Sequence, residues 1–345
     1  MLTPQSTTTL SEIAACLSTV DSIAICGHVN PDGDCIGAQL ALFYALKQRG
    51  KEVTILLAKP DPTPHNLRFL PGVEYFVPAA QCNQVFDCFI AVDVPTRERI
   101  GDAAALQENA RVTITLDHHA TETSMSRYNY VDPDAPAASL IVWNLIKEMK
   151  ALNSKSALCA LTGVMTDTGR FAYQNTTPES FIAAAEMMEL GADPALISRE
   201  FFQNRRLASM ELEKVMLDRM VFSHKGALVV SYLLHDDFNR FGALKADSEV
   251  LVDELRSIEG VKIALLLRES DGETVRGSLR AKDTADVAQV ARVFSGGGHT
   301  AAAGFTYHGS IFEALDEVSA KIDELCFDGD EVISANTHAV TTSEK

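Results

Sequence analysis

The chain has 345 residues, of which 46% are hydrophobic and 22% are charged, a composition typical of a soluble globular protein long enough for two domains. Its formal net charge of −17 argues against tight, nonspecific binding to long nucleic acid, because phosphate contacts require Lys and Arg. A short anionic substrate, held by metal ions and a few arginines, is still compatible with that charge.

The chain shows no signal for secretion or for a membrane. No apolar run approaches the ~18 residues that a membrane span requires, and the N-terminus lacks the basic and apolar regions of a signal peptide. The seven cysteines include no C-x-x-C pair and mostly lie in apolar runs, as is typical of reduced core thiols. We therefore predict a cytoplasmic protein without a membrane partner.

The first part of the chain alternates predicted strands and helices. Strands are predicted at 22–26, 53–58, 85–93 and 111–116. Helices are predicted at 10–17, at 36–47, from the end of the 131–136 loop to about 150, from 156 to the 162–169 segment, and from 177 to 191. Continuous apolar strands alternating with helices indicate an α/β fold with a doubly wound, mostly parallel sheet.

The second part is predicted to be a smaller mixed α/β domain. Asp193-Pro194 opens a helix that we expect to extend to about Met220, and we interpret 193–224 as a helical connector. Strands are then predicted at 228–234, 261–268 and 274–281, and helices at 248–258, 286–294 and 311–325. Asp271-Gly272 predicts a hairpin turn. We expect domains at 1–192 and 225–329 with a cleft between them, and a disordered tail at 330–345.

Acidic and histidine side chains follow three of the predicted strands. The first strand runs into His28, Asp32 and Asp34, the third into Asp93, and the fourth into Asp117-His118-His119. Ligand sites of open α/β sheets lie outside the carboxyl ends of the strands, where the strand order reverses. We therefore expect these side chains to meet at one edge of the sheet.

Carboxylates this close repel each other, and a divalent cation is the most direct way to neutralise them. His and Asp together suit Mn²⁺, Zn²⁺ or Fe²⁺ better than Ca²⁺. Taken alone, the 28–34 segment could also be an acidic turn that caps a helix. The two further strand ends favour the metal site.

These motifs resemble those of a known family. His28-x-Asn30-Pro31-Asp32-x-Asp34, Asp93, Asp117-His118-His119 and Thr166-Asp167 are similar to the four motifs of the DHH phosphoesterase family, and Gly296-Gly297-Gly298-His299 resembles the signature of its DHH-associated C-terminal domain. A two-domain chain of this size is most similar to the branch that hydrolyses short oligoribonucleotides (nanoRNA) and 3′-phosphoadenosine 5′-phosphate (pAp).

The resemblance implies a centre of two Mn²⁺ ions, with Mg²⁺ or Co²⁺ as possible substitutes. It assigns His28, Asp32 and Asp93 to one ion, and Asp34, Asp93, His118 and Asp167 to the other, with Asp93 bridging. A bridging hydroxide would attack phosphorus. Asp117 would orient His118, and His119 would bind the phosphate or protonate the leaving oxygen.

The resemblance also places substrate-binding residues in both parts. Backbone N–H groups of Gly296, Gly297 and Gly298 would form a nest-like anion site, with His299 beside them. Arg280 aligns with a family arginine that binds phosphate, and Arg268 and Arg276 are weaker candidates. Asn30 either contacts phosphate or shapes the turn before Pro31.

We therefore predict an Mn²⁺-dependent phosphohydrolase that converts short oligoribonucleotides to mononucleotides and dephosphorylates pAp. Alternatives are a phosphodiesterase for linear or cyclic dinucleotides (pGpG, cyclic-di-AMP) and, less favoured, a single-strand DNA exonuclease. A nucleotide sensor without activity is disfavoured because every expected ligand is present. The expected partners are short RNA or pAp, with no stable complex with long nucleic acid, and relatives in this family are often homodimers.

Overall fold

The computed structural model describes residues 6–120, 124–270, 272–282 and 285–327. The chain divides after Asn204 into two compact units. The tail predicted to be disordered at 330–345, and Asp271 of the predicted turn, lie outside the described residues.

The first unit contains a parallel sheet of six strands, in the order β3-β2-β1-β4-β5-β6. The strands are β1 (Ser22–Cys26), β2 (Glu52–Leu57), β3 (Phe76–Pro78), β4 (Cys88–Val92), β5 (Val112–Asp117) and β6 (Tyr128–Val131). The chain builds outward from β1 in one direction and from β4 in the other, so the strand order reverses between β1 and β4. The predicted α/β class with a doubly wound parallel sheet is confirmed.

Helices and turns cover both faces of this sheet. The helices are α1 (Leu10–Ser18), α2 (Gly33–Gln48), α3 (Ala104–Asn109), α4 (Ala138–Glu148), α5 (Ser154–Asp167) and α6 (Pro178–Glu189), with 3₁₀ turns at His65–Leu67, Val73–Tyr75, Ala79–Gln81 and Arg97–Ala103. Helix starts follow local sequence: Thr9 and Glu12 form a capping box at α1, and Thr177 caps α6 ahead of Pro178.

Small residues let α2 and α5 pack closely. A Cβ on Gly37 would lie 2.6 Å from the Cys159 carbonyl oxygen, and one on Gly33 would lie 2.5 Å from the Thr166 side chain. Because real Cβ atoms do not approach this closely, these positions require glycine. The contact fixes the start of α2 against the end of α5.

Two strands of this sheet were not predicted. Strand β3 has three residues and ends at Pro78, and β6 has four residues with partly buried tyrosines at alternate positions. Strands this short show no clear hydrophobic pattern, and both lie near an edge of the sheet, where they pair with a neighbour on one side only. Their existence depends on the long strands beside them.

The single helix predicted from Asp193 to about Met220 was wrong. The structure has a short helix α7 (Pro194–Ile197), a π-helical turn at Ser198–Gln203, and then helix α8 (Leu207–Asp218). The π-helical turn packs within the first unit, whereas α8 packs on the second. Helical periodicity cannot reveal that consecutive segments belong to different cores.

The second unit contains a mixed sheet of six strands, in the order β11-β12-β10-β9-β8-β7, in which only β8 and β9 run parallel. Its strands are β7 (Val221–Ser223), β8 (Leu228–Leu233), β9 (Ile263–Glu269), β10 (Thr274–Ala281), β11 (Gly297–His299) and β12 (Ala302–His308). Its remaining helices are α9 (His235–Phe241), α10 (Leu251–Ser257), α11 (Val287–Val293) and α12 (Ile311–Cys326).

Strands β9 and β10 are antiparallel neighbours, as the predicted hairpin requires. The sequence did not predict β7, β11, β12 or α9. Strand β12 carries Ala, Ala and Gly at its start, residues with low strand propensity, and its place in the sheet depends on pairing with β10. Within the described ranges, no helix is both long and apolar enough to cross a membrane.

Candidate metal centre

The carboxyl ends of β1, β4 and β5 deliver the predicted ligands to the edge where the strand order reverses. His28 follows β1, Asp93 directly follows β4, and His118 directly follows β5. Asp32 is the N-cap of α2, Asp34 lies in its first turn, and Asp167 is the last residue of α5. Six side chains that are far apart in sequence are therefore brought together.

Asp93 lies at the middle of this cluster. Its Oδ2 is 3.4 Å from His28 Nε2, and its Oδ1 is 3.5 Å from His118 Nε2. The residue is 2% exposed and adopts a left-handed backbone with φ of 60°, which non-glycine residues adopt mainly where surrounding structure imposes it. Among the described residues, buried Oδ1 has no hydrogen-bond partner, so an acceptor oxygen is available to a cation.

Backbone carbonyls orient the two central histidines. His28 Nδ1 is 2.8 Å from the carbonyl oxygen of Val29, and His118 Nδ1 is 3.2 Å from that of Ala135. When Nδ1–H donates to a carbonyl, the lone pair is placed on Nε2, which is the tautomer that a metal ligand needs. Both Nε2 atoms face carboxylates, at 3.4–3.8 Å.

Asp34 is held by the N-terminus of α4. Its carboxylate accepts hydrogen bonds from the backbone N–H groups of Ala138, at 2.6 Å, and Ser139, at 2.8 Å. Its Oδ2 is also 3.8 Å from His118 Nε2. Burial, with Asp93 adding to the effect and His118 opposing it, raises the pKa of Asp34 to about 7.

Asp167 and Asp32 complete the cluster from opposite sides. Asp167 Oδ2 is 3.7 Å from His118 Nε2, and burial raises the pKa of Asp167 well above its usual range despite the attraction of His118. Asp32 Oδ2 is 3.8 Å from His28 Nε2, and its Oδ1 caps α2 by accepting from two backbone N–H groups. Its side chain is 62% exposed, so it forms the rim of the centre.

The electrostatics of the cluster favour a cation. Burial alone would raise the pKa of Asp93, but His118 and His28 hold it well below its usual range. Burial would lower the pKa of His118, but Asp167, Asp93 and Asp34 raise it. Four carboxylates face two imidazoles here, and nitrogen and oxygen donors of this kind suit Mn²⁺, Zn²⁺ or Fe²⁺. The residues present therefore fit a divalent metal.

The expectation that Asp117 orients His118 was wrong. Asp117 Oδ1 instead lies 2.8 Å from His119 Nδ1 and accepts its N–H. The ring nitrogen of His118 that Asp117 would have to reach is taken by the backbone instead, since His118 Nδ1 lies 3.2 Å from the carbonyl oxygen of Ala135. His119 Nδ1 is also 3.6 Å from Asp93 Oδ1, so Asp117 fixes a histidine at the side of the cluster.

The remaining predicted substrate residue of the first unit is Asn30. It lies exposed in the turn between β1 and α2, with a left-handed backbone of φ 54°. That conformation is accessible to Asn at lower cost than to most residues, which supports a role in shaping the turn before Pro31.

The predicted arginines lie side by side in the second unit. Arg276 of β10 is directly opposite Arg268 of β9, and Arg280 lies further along β10. Arg268 donates to the hydroxyl of Ser278, and burial, to which Arg280 and Arg276 add, lowers the pKa of its guanidinium to about 10. Arg280 Nε is 3.4 Å from Asp253 Oδ1. A group of like charges suits an anion.

The glycines form a strand and not the expected nest-like turn. Gly297, Gly298 and His299 are exposed in β11, at the edge of the second sheet. A Cβ on Gly296 would lie 2.2 Å from the Gly304 carbonyl oxygen, and one on Gly298 would lie 2.4 Å from that of Ala302. The close approach of β12 thus explains why glycine is required at these two positions.

Sequence reasoning missed three residues that touch the cluster. Asn175 donates to the carbonyl oxygens of Pro136 and Asp167, and its amide nitrogen lies 3.5 Å from Asp167 Oδ2. Ser139 and Cys35 contact Asp34 and His28 respectively. The helix start predicted after the Pro-rich 133–136 loop could have indicated that Ser139 lies near an anionic group. No local sequence pattern indicates that Asn175 or Cys35 lies near the cluster.

Comparison with known proteins identifies relatives of both units. Residues 22–164 match the DHH family, N-terminal domain, and residues 225–327 match the DHHA1 domain. The protein named bifunctional oligoribonuclease and PAP phosphatase NrnA of Thermus thermophilus is 32% identical over 90% of this chain and 93% of its own length. The protein of the same name from Bacillus subtilis is 26% identical over 92% of this chain and 98% of its own.

A solved structure has the same architecture. The exopolyphosphatase-related protein of Bacteroides fragilis superimposes with a TM-score of 0.83 at 26% identity, covering 91% of this chain and 95% of that one. The similarity therefore extends over nearly the full length of both chains.

Proposed function

Because the chain belongs to the DHH family and is thus a metal-dependent phosphoesterase, we propose that it degrades short oligoribonucleotides to mononucleotides and removes the 3′-phosphate of pAp. The observation that supports the proposal best is the buried carboxylate of Asp93 between His28 and His118, at 3.4 and 3.5 Å. The names of relatives that cover most of the chain supply the substrate class.

The residues divide between two cations, which we propose to be Mn²⁺. His28 and Asp32 would hold one, and Asp34, His118 and Asp167 the other, with Asp93 shared. When bound, the pair of cations supplies Lewis-acid neutralisation of the phosphate and a water acidic enough to react near neutral pH.

Side chains of the protein would donate the proton to the leaving oxygen and bind the substrate. Asp117 accepts the Nδ1–H of His119, which fixes the orientation of the ring. When the ring carries a second proton, its Nε2–H can donate a hydrogen bond to a phosphate oxygen or a proton to the leaving oxygen. The N-terminus of α4 holds the Asp34 carboxylate in place through two backbone N–H groups. Arg280, together with the edge strand 297–299, would bind a phosphate of the remaining substrate.

The proposal is tested by incubating the purified protein and Mn²⁺ with labelled di- to pentaribonucleotides and, separately, with pAp. We expect mononucleotides from the first and inorganic phosphate from the second. Asp93→Asn, which removes the shared charge at almost constant volume, is the matched control and should be inactive on both. Failure of the parent protein on both substrates would refute the assignment.

Rates on pGpG and pAp separate this proposal from a dinucleotide-specific phosphodiesterase. Activity confined to dinucleotides, with no phosphate released from pAp and no cleavage of longer oligoribonucleotides, would replace the proposed function with that narrower one.

A further inference from the structure

A buried thiol adjoins the candidate metal centre and has no part in the function proposed above. Cys35 lies in the first turn of α2 and is 0% exposed. Its Sγ, a ring nitrogen of His28 and a carboxylate oxygen of Asp93 all lie within 4.8 Å of one another. Imidazole, thiolate and carboxylate are three donors of the kind that bind a thiophilic cation, with a fourth position left for a water or another ligand.

We infer that His28, Cys35 and Asp93 form an inner binding site for thiophilic divalent cations, such as Zn²⁺ or Cd²⁺, which excludes the cation held through Asp32. Both sites use His28 and Asp93, so a single ion occupies one or the other. Asp32 lies on the exposed rim and offers oxygen, which a hard cation such as Mn²⁺ prefers. Cys35 lies on the buried side and offers sulfur.

The surroundings of Cys35 are arranged for a sulfur ligand. A Cβ on Gly27 would lie 2.1 Å from Cys35 Sγ, so the glycine at the end of β1 leaves space for the thiol beside His28. The amide nitrogen of Gln39, which is 1% exposed, donates to Sγ at 3.5 Å. N–H donors to sulfur are the typical outer partners of metal thiolates.

Charge also favours this site. A cation that binds Cys35 displaces the thiol proton to solvent and forms a metal–sulfur bond, so the thiolate and the Asp93 carboxylate together supply two negative charges to a dication. His28 contributes a neutral nitrogen. The cation and these three ligands then carry no net charge together, which lowers the cost of burying them.

The consequence is a competition that governs which metal the protein holds. A thiophilic cation in the inner site takes His28 and Asp93 away from the outer one. Cd²⁺ or Zn²⁺ should therefore displace the one Mn²⁺ held by His28 and Asp32, and we expect this displacement to depend on Cys35.

The first test is spectroscopic and involves no substrate. Co²⁺ added to the purified protein should produce the near-ultraviolet charge-transfer band of a thiolate–cobalt bond, which should be lost in Cys35→Ala. Cys88→Ala, which removes an equally buried thiol at the opposite end of β4, should retain the band. Absence of the band from the parent protein, or its persistence in Cys35→Ala, would overturn the inference. If Cys35→Ala does not fold, the same measurement is made on Cys35→Ser, which is closer to cysteine in size and polarity and also lacks the thiolate.

The second test measures Cd²⁺ and Mn²⁺ binding by calorimetry in two variants. Cys35→Ala should weaken Cd²⁺ binding by at least ~10-fold, since even loss of an outer partner of a metal ligand costs that much, and should leave Mn²⁺ binding within error. Asp32→Asn, which retains a side chain able to cap α2, should weaken Mn²⁺ binding and leave Cd²⁺ binding within error. Equal effects of each variant on both metals would refute two competing sites. Because neither test measures hydrolysis, the outcome is independent of the proposed substrate.

Discussion

The position of Asp34 depends on the absence of a side chain at Gly163 in α5. A Cβ at this position would lie 1.8 Å from Ser139 Oγ and 2.7 Å from Asp34 Oδ1. Ser139 and Asp34 are both buried, and the backbone N–H of Ser139 donates to Asp34 Oδ1, so a displacement of the Ser139 backbone or of the Asp34 carboxylate strains that hydrogen bond. Gly163→Ala in α5 should therefore displace Asp34, one of the proposed metal ligands.

The expected magnitude is a difference of three effects. In an isolated helix alanine would gain up to ~1 kcal/mol over glycine. Overpacking a core costs typically ~1–3 kcal/mol, and loss of a hydrogen bond to a charged group costs ~1.5–3 kcal/mol. The net destabilisation should be ~1.5–5 kcal/mol, which lowers the melting temperature of a unit of this size by roughly 3–20 °C.

Thermal unfolding and Mn²⁺ calorimetry on the metal-free protein measure both consequences. Gly163→Ala should melt earlier and bind Mn²⁺ more weakly. Combining it with Ser139→Gly, which removes the closest obstruction, should restore part of the stability, so the two changes should not be additive. A Gly163→Ala variant that is as stable as the parent and binds Mn²⁺ equally well would refute the reasoning.

Three further predictions concern side chains around the proposed centre. Asp93→Asn should reduce phosphate release from pAp by more than ~100-fold, because the proposed shared ligand of both cations loses its charge; a smaller loss would exclude that role. Asn175→Ala should weaken Mn²⁺ binding by ~10–100-fold through loss of the amide beside Asp167. The control Asn144→Ala, which loses an exposed contact with a glutamate, should leave Mn²⁺ binding unchanged. Equal calorimetric affinities in the two variants would contradict this prediction. Arg280→Gln should raise KM for oligoribonucleotides with little change in kcat, in contrast to Arg292→Gln on the surface, and a change in kcat alone would argue against phosphate binding.

The fold of the first unit could be predicted because its central strands are long and apolar. Strand β1 matches its predicted bounds, and β4 and β5 lie within or one residue from theirs. Strands β3 and β6 could not be predicted, because three or four residues are too few to show an alternation of hydrophobic and polar side chains. Their pairing also depends on neighbours that are distant in sequence. The break between α7 and α8 was missed for a related reason, because each segment packs on a different unit.

The part of the site that could be predicted consists of the residues that follow strand ends. Their common edge follows from parallel strands, which place His28, Asp93 and His118 together without reference to side-chain packing. The pairing of Asp117 with His119 could not be predicted, because it depends on the loop after β5 and on the Ala135 carbonyl, which takes the other ring nitrogen of His118. Cys35 and Asn175 reach the cluster through tertiary packing that leaves no local pattern.

The most direct measurement of the central claim is the anomalous diffraction of crystals grown with Mn²⁺, recorded at the manganese edge. We expect two peaks that flank the Asp93 carboxylate, one beside His28 and one beside His118. A single peak, or peaks that do not involve Asp93, would contradict the shared-carboxylate centre on which the account depends.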